Sequence, residues 1–238
     1  MTEVYAADHV VPVGAAPLRG GAVAVRDGEI VAVAITGKPF VFGVGADLTR
    51  MPFITSRDQG HAVAALGHDT LRRLGELSVP TFAFVNGAAM GGGFEIALQC
   101  TYRTVSSGAG LLALPEVGLG LIPGWGGAYL LPRLIGPAAA IKVIIENPLS
   151  QNRMLKPQEV LSLGIADAMF EPADFLVQSL RWAEQVLDGS ISVERRPLDD
   201  EATWDATVSA ARAMVDLRLH GAAPAPYRAL DLVASART

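Results

Sequence analysis

The sequence predicts an α/β fold, and three observations carry that prediction. Short apolar runs typical of strands alternate along the chain with longer segments of helical periodicity. Half of the 238 residues are hydrophobic and 18% are charged, a composition that excludes a disordered chain. Residues 81–135 contain only four charged side chains, which are Glu95, Arg103, Glu116 and Arg133. We therefore expect this stretch to form the buried centre of the domain.

The composition also excludes several classes of protein. A net charge of −5 without a cluster of Lys and Arg argues against a nucleic-acid partner. The single cysteine, Cys100, excludes a disulfide framework and a multi-cysteine metal site. The chain shows neither a long uncharged apolar run nor a signal peptide. We expect a cytoplasmic protein with no metal and no membrane partner, whose surplus of apolar residues favours assembly with other subunits.

The N-terminal third leaves one choice open. The first 20 residues have no clear pattern, whereas residues 23–35 are rich in β-forming residues. They predict either a hairpin that turns at Asp27-Gly28 or a single strand from Glu29 to Ile35. A second apolar run covers residues 40–44. Apolar residues at three- and four-residue intervals predict a helix over residues 57–77.

The rest of the chain continues the alternation. The pattern predicts strands at residues 81–85, 102–105 and 165–170, a short apolar run at 111–114, a turn at Asn86-Gly87, and helices at residues 90–100, 126–135, 138–146, 157–163, 174–187, 206–219 and 227–236. No internal repeat is present.

Two glutamates in the weakly charged centre are the first candidates for chemistry. Glu95 follows three glycines at the start of a helix, and Glu116 follows a proline at the end of an apolar run. A carboxylate buried alone costs several kcal/mol unless it is paired or neutralised. Each glutamate could pair with Arg103 or Arg133 in a purely structural role. Alternatively, the two could act as an acid/base pair in an apolar cleft, with at least one raised pKa.

Two glycine-rich turns and a tryptophan are weaker signals. Backbone N–H groups in Gly91-Gly92-Gly93, at a helix N-terminus, could bind an oxyanion, although close packing of helix on strand explains the glycines equally well. The turn that contains Gly45-Ala46-Asp47 could place another N–H beside a ligand, and a simple tight turn is the alternative. Trp125 lies between two glycines and is either a core residue or a pocket wall.

Taken together, these motifs resemble the crotonase superfamily, which contains enoyl-CoA hydratases and isomerases. The resemblance covers about residues 29–190 and is carried by residues 45–48, 85–95, 114–127 and 164–167. It implies a spiral of β-β-α units. Residues 1–190 would form the crotonase core, and residues 191–238 would form a C-terminal helical region used for packing or trimer assembly.

The resemblance also assigns roles to residues. The backbone N–H groups of Ala46 and Gly92 would form an oxyanion hole for the thioester carbonyl. Glu95 would activate the attacking water, and Glu116 would donate a proton to the substrate Cα. The further residues expected to contact the substrate are Gly45, Asp47, Leu48, Gly91, Gly93, Pro115, Gly124 and Trp125. No cofactor is implied, because CoA is part of the acyl-CoA substrate, and a homotrimer or a dimer of trimers is expected.

The activity implied by the resemblance is hydration of 2-enoyl-CoA in fatty-acid β-oxidation. The alternatives are an enoyl-CoA isomerase and a catalytically impaired remnant that serves assembly. Three features depart from the family pattern. The segment before Ala46 is short, so residues 1–27 would be a shortened or replaced version of a region that helps to bind CoA. Trp125 stands where the family often has a small residue. Residues 194–238 resemble the link that follows the hydratase part of multifunctional fatty-acid oxidation proteins.

Overall fold

The computed structural model describes the backbone of residues 2–10 and 18–238, and it contains two β-sheets. Across the larger sheet the strands are β1 (Thr2–Val10), β2 (Leu18–Arg26), β3 (Glu29–Thr36), β5 (Thr81–Val85), β7 (Tyr102–Ser106) and β9 (Ala168–Phe170); the smaller sheet contains β4 (Phe40–Gly43), β6 (Gly87–Met90) and β8 (Leu112–Ala113). Strands β1, β2 and β3 pair antiparallel, and all other pairs are parallel.

Helices connect and cover the sheets. They are α1 (Arg57–Gly75), α2 (Gly92–Gln99), α3 (Gly127–Ile135), α4 (Pro137–Ile141), α5 (Asn147–Leu149), α6 (Pro157–Ser162), α7 (Phe175–Leu187), α8 (Glu201–Leu219) and α9 (Pro224–Ser235). Two short 3₁₀ turns, Leu48–Phe53 and Glu116–Leu119, and a π-helical segment, Lys142–Glu146, complete the elements. Over the residues described, none of these helices has the length and apolarity needed to cross a membrane.

The order of the elements confirms the predicted α/β fold and its β-β-α units. Strands β3 and β4 precede α1, and β5 and β6 precede α2. Strands β7 and β8 precede a 3₁₀ turn and α3. Each unit contributes its first strand to the larger sheet and its second to the smaller one. The ends of β4, β6 and β8 and the turns that follow them therefore lie in one region of the molecule.

The N-terminal strands settle the choice that the sequence left open. Asp27 and Gly28 both have positive φ, at 53° and 83°, as a primed two-residue turn requires. Arg26 pairs with Glu29, so the hairpin is confirmed and the single strand is wrong. The structure also contains β1 within the first 20 residues, where the sequence shows no pattern. This edge strand pairs with β2 through the backbone ladder, which needs no particular side chains. Residues 11–17 lie outside the described part.

Three predicted boundaries move for identifiable reasons. The helix predicted from Met90 begins at Gly92, because residues 87–90 pair with β4 and β8. The strand predicted from Ile165 begins at Ala168, since the N–H of Ile165 still donates to the carbonyl of Val160 at the end of α6. Helix α8 begins before its predicted start, because the Asp200 side chain accepts a hydrogen bond from the Thr203 N–H and caps it.

The C-terminal helices pack on the body of their own chain. Helix α8 contacts α4, and α9 contacts α3. The Arg133 side chain donates a hydrogen bond of 2.8 Å to the carbonyl of Ala236, which ties α3 to the end of α9. Trp204 on α8 is fully buried, and its indole N–H donates to the carbonyl of Val233 over 2.9 Å. The main hydrophobic core therefore extends from the sheets through α3 into these helices.

Truncation of Trp204 tests this packing. We expect Trp204→Ala to lower the free energy of unfolding by about 3–5 kcal/mol, because it leaves a cavity and removes the indole hydrogen bond to the Val233 carbonyl. Urea denaturation measures the change. The control is Leu217→Ala on the same helix, where the side chain is 79% exposed and a change within about 0.5 kcal/mol is expected. Equal effects of the two substitutions would show that α8 does not belong to the core.

Candidate active site

The two glutamates of the weakly charged centre are both buried. Glu95 lies in the first turn of α2 and is 2% exposed, and Glu116 begins the 3₁₀ turn after β8 and is 9% exposed. Their side chains interact electrostatically, since the charge of Glu95 raises the pKa of Glu116. The fold therefore brings together two carboxyl groups that are 21 positions apart in the sequence.

Glu95 is held by the backbone that enters α3. Its Oε1 accepts hydrogen bonds from the N–H of Trp125 over 2.8 Å and from the N–H of Gly127 over 2.9 Å. Burial raises the pKa of Glu95 to about 7, although these two bonds act in the opposite direction by stabilising the ionised form. The carboxylate is thus fixed in orientation and titrates close to neutral pH.

Glu116 is less well satisfied. Its Oε2 has no hydrogen-bond partner within the described residues. Its Oε1 lies beside Gly91, where an added Cβ would be 2.9 Å away. Burial, and then the charge of Glu95, raise the pKa of Glu116 to about 7. Because two like-charged groups share this apolar environment, they titrate as a pair.

The two arginines of the same stretch bind elsewhere. Arg103 donates to the carbonyls of Cys100 and Ile165, and Arg133 donates to the carbonyls of Ala236 and Arg237. The interpretation in which these arginines neutralise the glutamates is therefore wrong. Both guanidinium groups satisfy main-chain carbonyls, which a sequence pattern does not reveal.

The turn after β4 approaches the N-terminus of α2 through glycines. An added Cβ on Gly45 would lie 3.1 Å from the Met90 carbonyl oxygen and 3.3 Å from the Gly92 nitrogen. An added Cβ on Gly93 would overlap the Gly43 carbonyl. Only backbone without side chains fits at this contact. The predicted close packing is therefore present at Gly93.

This contact sets Ala46 next to the start of α2. Neither its N–H nor that of Gly92 has a hydrogen-bond acceptor in the described part of the chain. Gly92 begins the helix, where backbone donors are left without intrahelical partners. Both N–H groups are therefore available to an acceptor, and their role as an oxyanion hole stays a prediction.

The remaining predicted contact residues have different local surroundings. Asp47 caps the 3₁₀ turn by accepting from the Thr49 N–H and hydroxyl, and the hydroxyl bond is the main reason why its pKa is lowered. Leu48 is 53% exposed. Pro115 immediately precedes Glu116 as the N-cap of its turn, and the Gly124 N–H donates to the Ile122 carbonyl. Asp47 therefore has a structural role in the free protein.

Trp125 contacts Gly67, a residue that the sequence patterns did not single out. Its half-buried indole lies between two helices: an added Cβ on Gly92 would be 2.6 Å from its Cζ3, and one on Gly67 of α1 would overlap its Cε2 and Nε1. The indole packs against both helices, and its role as a pocket wall stays a prediction. The sequence contains one signal for Gly67, which is its position inside a helical pattern, because an interior glycine usually has a packing reason.

The described residues contain no group of three or more His, Cys, Asp or Glu side chains that could hold a metal ion.

Comparison with known proteins agrees with this architecture. The family model described as enoyl-CoA hydratase/isomerase matches residues 22–217. The chain is 30% identical over 207 residues to a fatty acid oxidation complex subunit alpha from Shewanella frigidimarina, an alignment that covers 84% of this chain and 28% of the relative. It is 37% identical over 168 residues to a short-chain-enoyl-CoA hydratase from Clostridium acetobutylicum, covering 69% of this chain and 61% of the relative.

Solved structures show the same relationship. An enoyl-CoA hydratase from Bacillus anthracis is 26% identical with a TM-score of 0.58, covering 86% of this chain and 70% of that one. The chain spans less than two thirds of the length of the two curated relatives. Because the family model matches most of its residues, this protein belongs to the enoyl-CoA hydratase/isomerase family of the crotonase superfamily.

Proposed function

We propose that this protein is an enoyl-CoA hydratase, a hydro-lyase that adds water across the 2,3 double bond of 2-enoyl-CoA thioesters in fatty-acid β-oxidation. The observation that supports this most strongly is the pair of buried carboxyl groups, Glu95 and Glu116, which interact with each other and have no cationic partner among the described residues. Hydration needs one group that takes a proton from water and another that gives a proton to carbon.

Titration of the pair matches that requirement. Burial raises both pKa values to about 7, so either carboxyl group can hold a proton near neutral pH, and the charge of Glu95 favours protonation of Glu116. We assign the base to Glu95, because the two amides on its Oε1 stabilise the ionised form. We assign the acid to Glu116, whose Oε2 has no bonding partner in the described protein.

The addition then balances as follows. Glu95 removes a proton from water as the water oxygen bonds to Cβ, and the electron pair of the double bond moves toward the thioester carbonyl. Glu116 delivers its proton to Cα. The N–H groups of Ala46 and Gly92 bind the carbonyl oxygen while it carries negative charge, and the position of Gly92 at a helix N-terminus strengthens its contribution. No cofactor takes part in these steps, because CoA belongs to the substrate.

The surrounding assignments are also proposals. Gly45, Gly91 and Gly93 allow the acyl group to approach the backbone closely. The proposed assembly is a homotrimer or a dimer of trimers, in keeping with the many exposed large hydrophobic residues of the isolated chain. The proposed compartment is the cytoplasm.

Neutral substitutions at the two carboxyl groups test the mechanism. We expect Glu95→Gln and Glu116→Gln each to lower kcat for crotonyl-CoA hydration by about 10²–10⁴-fold, because each removes one proton transfer. Loss of enoyl thioester absorbance measures the rate, and circular dichroism checks the fold. Glu171→Gln, on an exposed turn, is the control and should retain the wild-type rate.

Other outcomes would identify the alternatives. Unchanged turnover in either glutamine variant would remove the role assigned to that residue. Conversion of a 3-enoyl-CoA to its 2-enoyl isomer without hydration would identify an isomerase. Failure of acetoacetyl-CoA to bind in calorimetric titration would identify a remnant without a working site.

The raised pKa of Glu116 also predicts how stability depends on pH. The folded-state pKa of about 7 exceeds the ordinary glutamate pKa of 4.5, so ionisation of this group opposes folding. That penalty is absent below about pH 4.5, grows as the pH rises and is complete above about pH 7. We therefore expect Glu116→Gln to gain up to about 3 kcal/mol of stability relative to wild type between about pH 5 and pH 8.

Urea unfolding of the wild type and of Glu116→Gln, at about pH 5 and at about pH 8, measures this difference in the free energy of unfolding. Glu171→Gln again serves as the control, because it removes a carboxyl group from the surface. A Glu116→Gln variant whose stability relative to wild type stays constant across the range would contradict a carboxyl group that resists ionisation.

A further inference from the structure

The indole of Trp125 occupies a slot that exists only because two residues lack side chains. One wall is Gly92 at the N-terminus of α2, where an added Cβ would lie 2.6 Å from Cζ3 and 2.7 Å from Cε3 of the indole. The other wall is Gly67 in the middle of α1, where an added Cβ would overlap the opposite edge of the ring. The ring therefore spans the gap between the two helices.

The contact with the Trp125 indole explains why position 67 is a glycine. Glycine is less favourable than alanine inside a helix, and α1 contains a second interior glycine for comparison. At Gly60 an added Cβ would make only an ordinary contact, 3.7 Å from Ile54 Cγ2. Space is therefore required at Gly67 and not at Gly60, and the group that uses it is the Trp125 indole.

The backbone of Trp125 is fixed at the same time. Its N–H donates to Glu95 Oε1 over 2.8 Å, and its carbonyl accepts from the Gln99 side chain over 3.0 Å. Both partners belong to α2. The backbone of Trp125 cannot shift away without releasing Glu95, so the indole extends from a fixed point beside the carboxylate.

This position places the ring in the path of the acyl chain, if the proposed function is correct. The thioester carbonyl would bind at the Gly92 N–H, and the reacting carbons would lie between Glu116 and Glu95. Because the indole lies against Gly92 and its own backbone is bonded to Glu95, a chain that continues beyond Cβ would meet the ring. We propose that Trp125 closes the tail end of the acyl site and restricts the enzyme to short-chain enoyl-CoA thioesters.

Replacement of the indole tests this role. The ratio of kcat/KM for trans-2-decenoyl-CoA to that for crotonyl-CoA is measured in the wild type, Trp125→Phe and Trp125→Ala. We expect the ratio to rise by about tenfold or more in Trp125→Ala, because each further methylene can then be buried. A smaller rise is expected for Trp125→Phe. A ratio that stays at the wild-type value in Trp125→Ala would overturn the proposal.

The slot itself is tested without any activity. Gly67→Ala should lower the thermal unfolding midpoint in the wild-type background and leave it unchanged or raise it in the Trp125→Ala background. Gly60→Ala is the matched control, and its effect should be the same in both backgrounds. Equal effects of Gly67→Ala in the two backgrounds would contradict the slot.

Binding separates this inference from the proposed reaction. Calorimetric titration with the saturated thioesters butyryl-CoA and decanoyl-CoA reports chain-length preference without turnover. If the wild type binds both thioesters in a ratio that Trp125→Ala shifts toward decanoyl-CoA, the inference holds even when no hydration is detected. If hydration is confirmed and neither the binding ratio nor the kinetic ratio changes, the proposed function stands and the inference fails.

Discussion

The contact between the turn after β4 and the first turn of α2 is the constraint on which the site depends. It is made of backbone alone, because a Cβ on Gly93 would overlap the Gly43 carbonyl and one on Gly45 would crowd the Gly92 nitrogen. This approach joins two successive β-α units at one point. It also sets Gly45 beside Gly92, at the start of the helix whose first turn carries Glu95. A side chain at Gly43, Gly45 or Gly93 would push the turn away from the helix.

Burial of two carboxyl groups in the same region costs free energy, which packing in the rest of the fold must offset. Two carboxyl groups are withdrawn from water without a cation, and their pKa values rise to about 7 as a result. The nearby arginines do not relieve this cost, since they bind main-chain carbonyls at Ile165 and Ala236. A large continuous core, which reaches from the sheets into α8 and α9, makes such a site tolerable.

Trp125 joins two properties that are usually carried by separate residues. Its N–H orients Glu95, and its indole occupies the gap between Gly67 and Gly92. Backbone hydrogen bonding does not depend on the side chain, so substitution can alter the shape of the acyl site while the bond to the carboxylate is kept. The proposed chemistry and the proposed chain-length selection are therefore separable in this protein.

The sequence alone determined the features that depend on local pattern or on composition. Helix α1 and strand β5 follow from periodicity, and the scarcity of charge in residues 81–135 identified the two buried glutamates. The turn at Asp27-Gly28 was one of two possibilities, and the structure settled that choice. The tertiary structure decided what depends on partners distant in the chain. Strands β1, β6 and β8 depend on backbone pairing with other strands. The arginine side chains bind main-chain carbonyl groups. Gly67 leaves room for an indole that lies 58 positions away in the sequence. Local propensity contains no information about such contacts, because their energies arise only when the sheets and helices have packed.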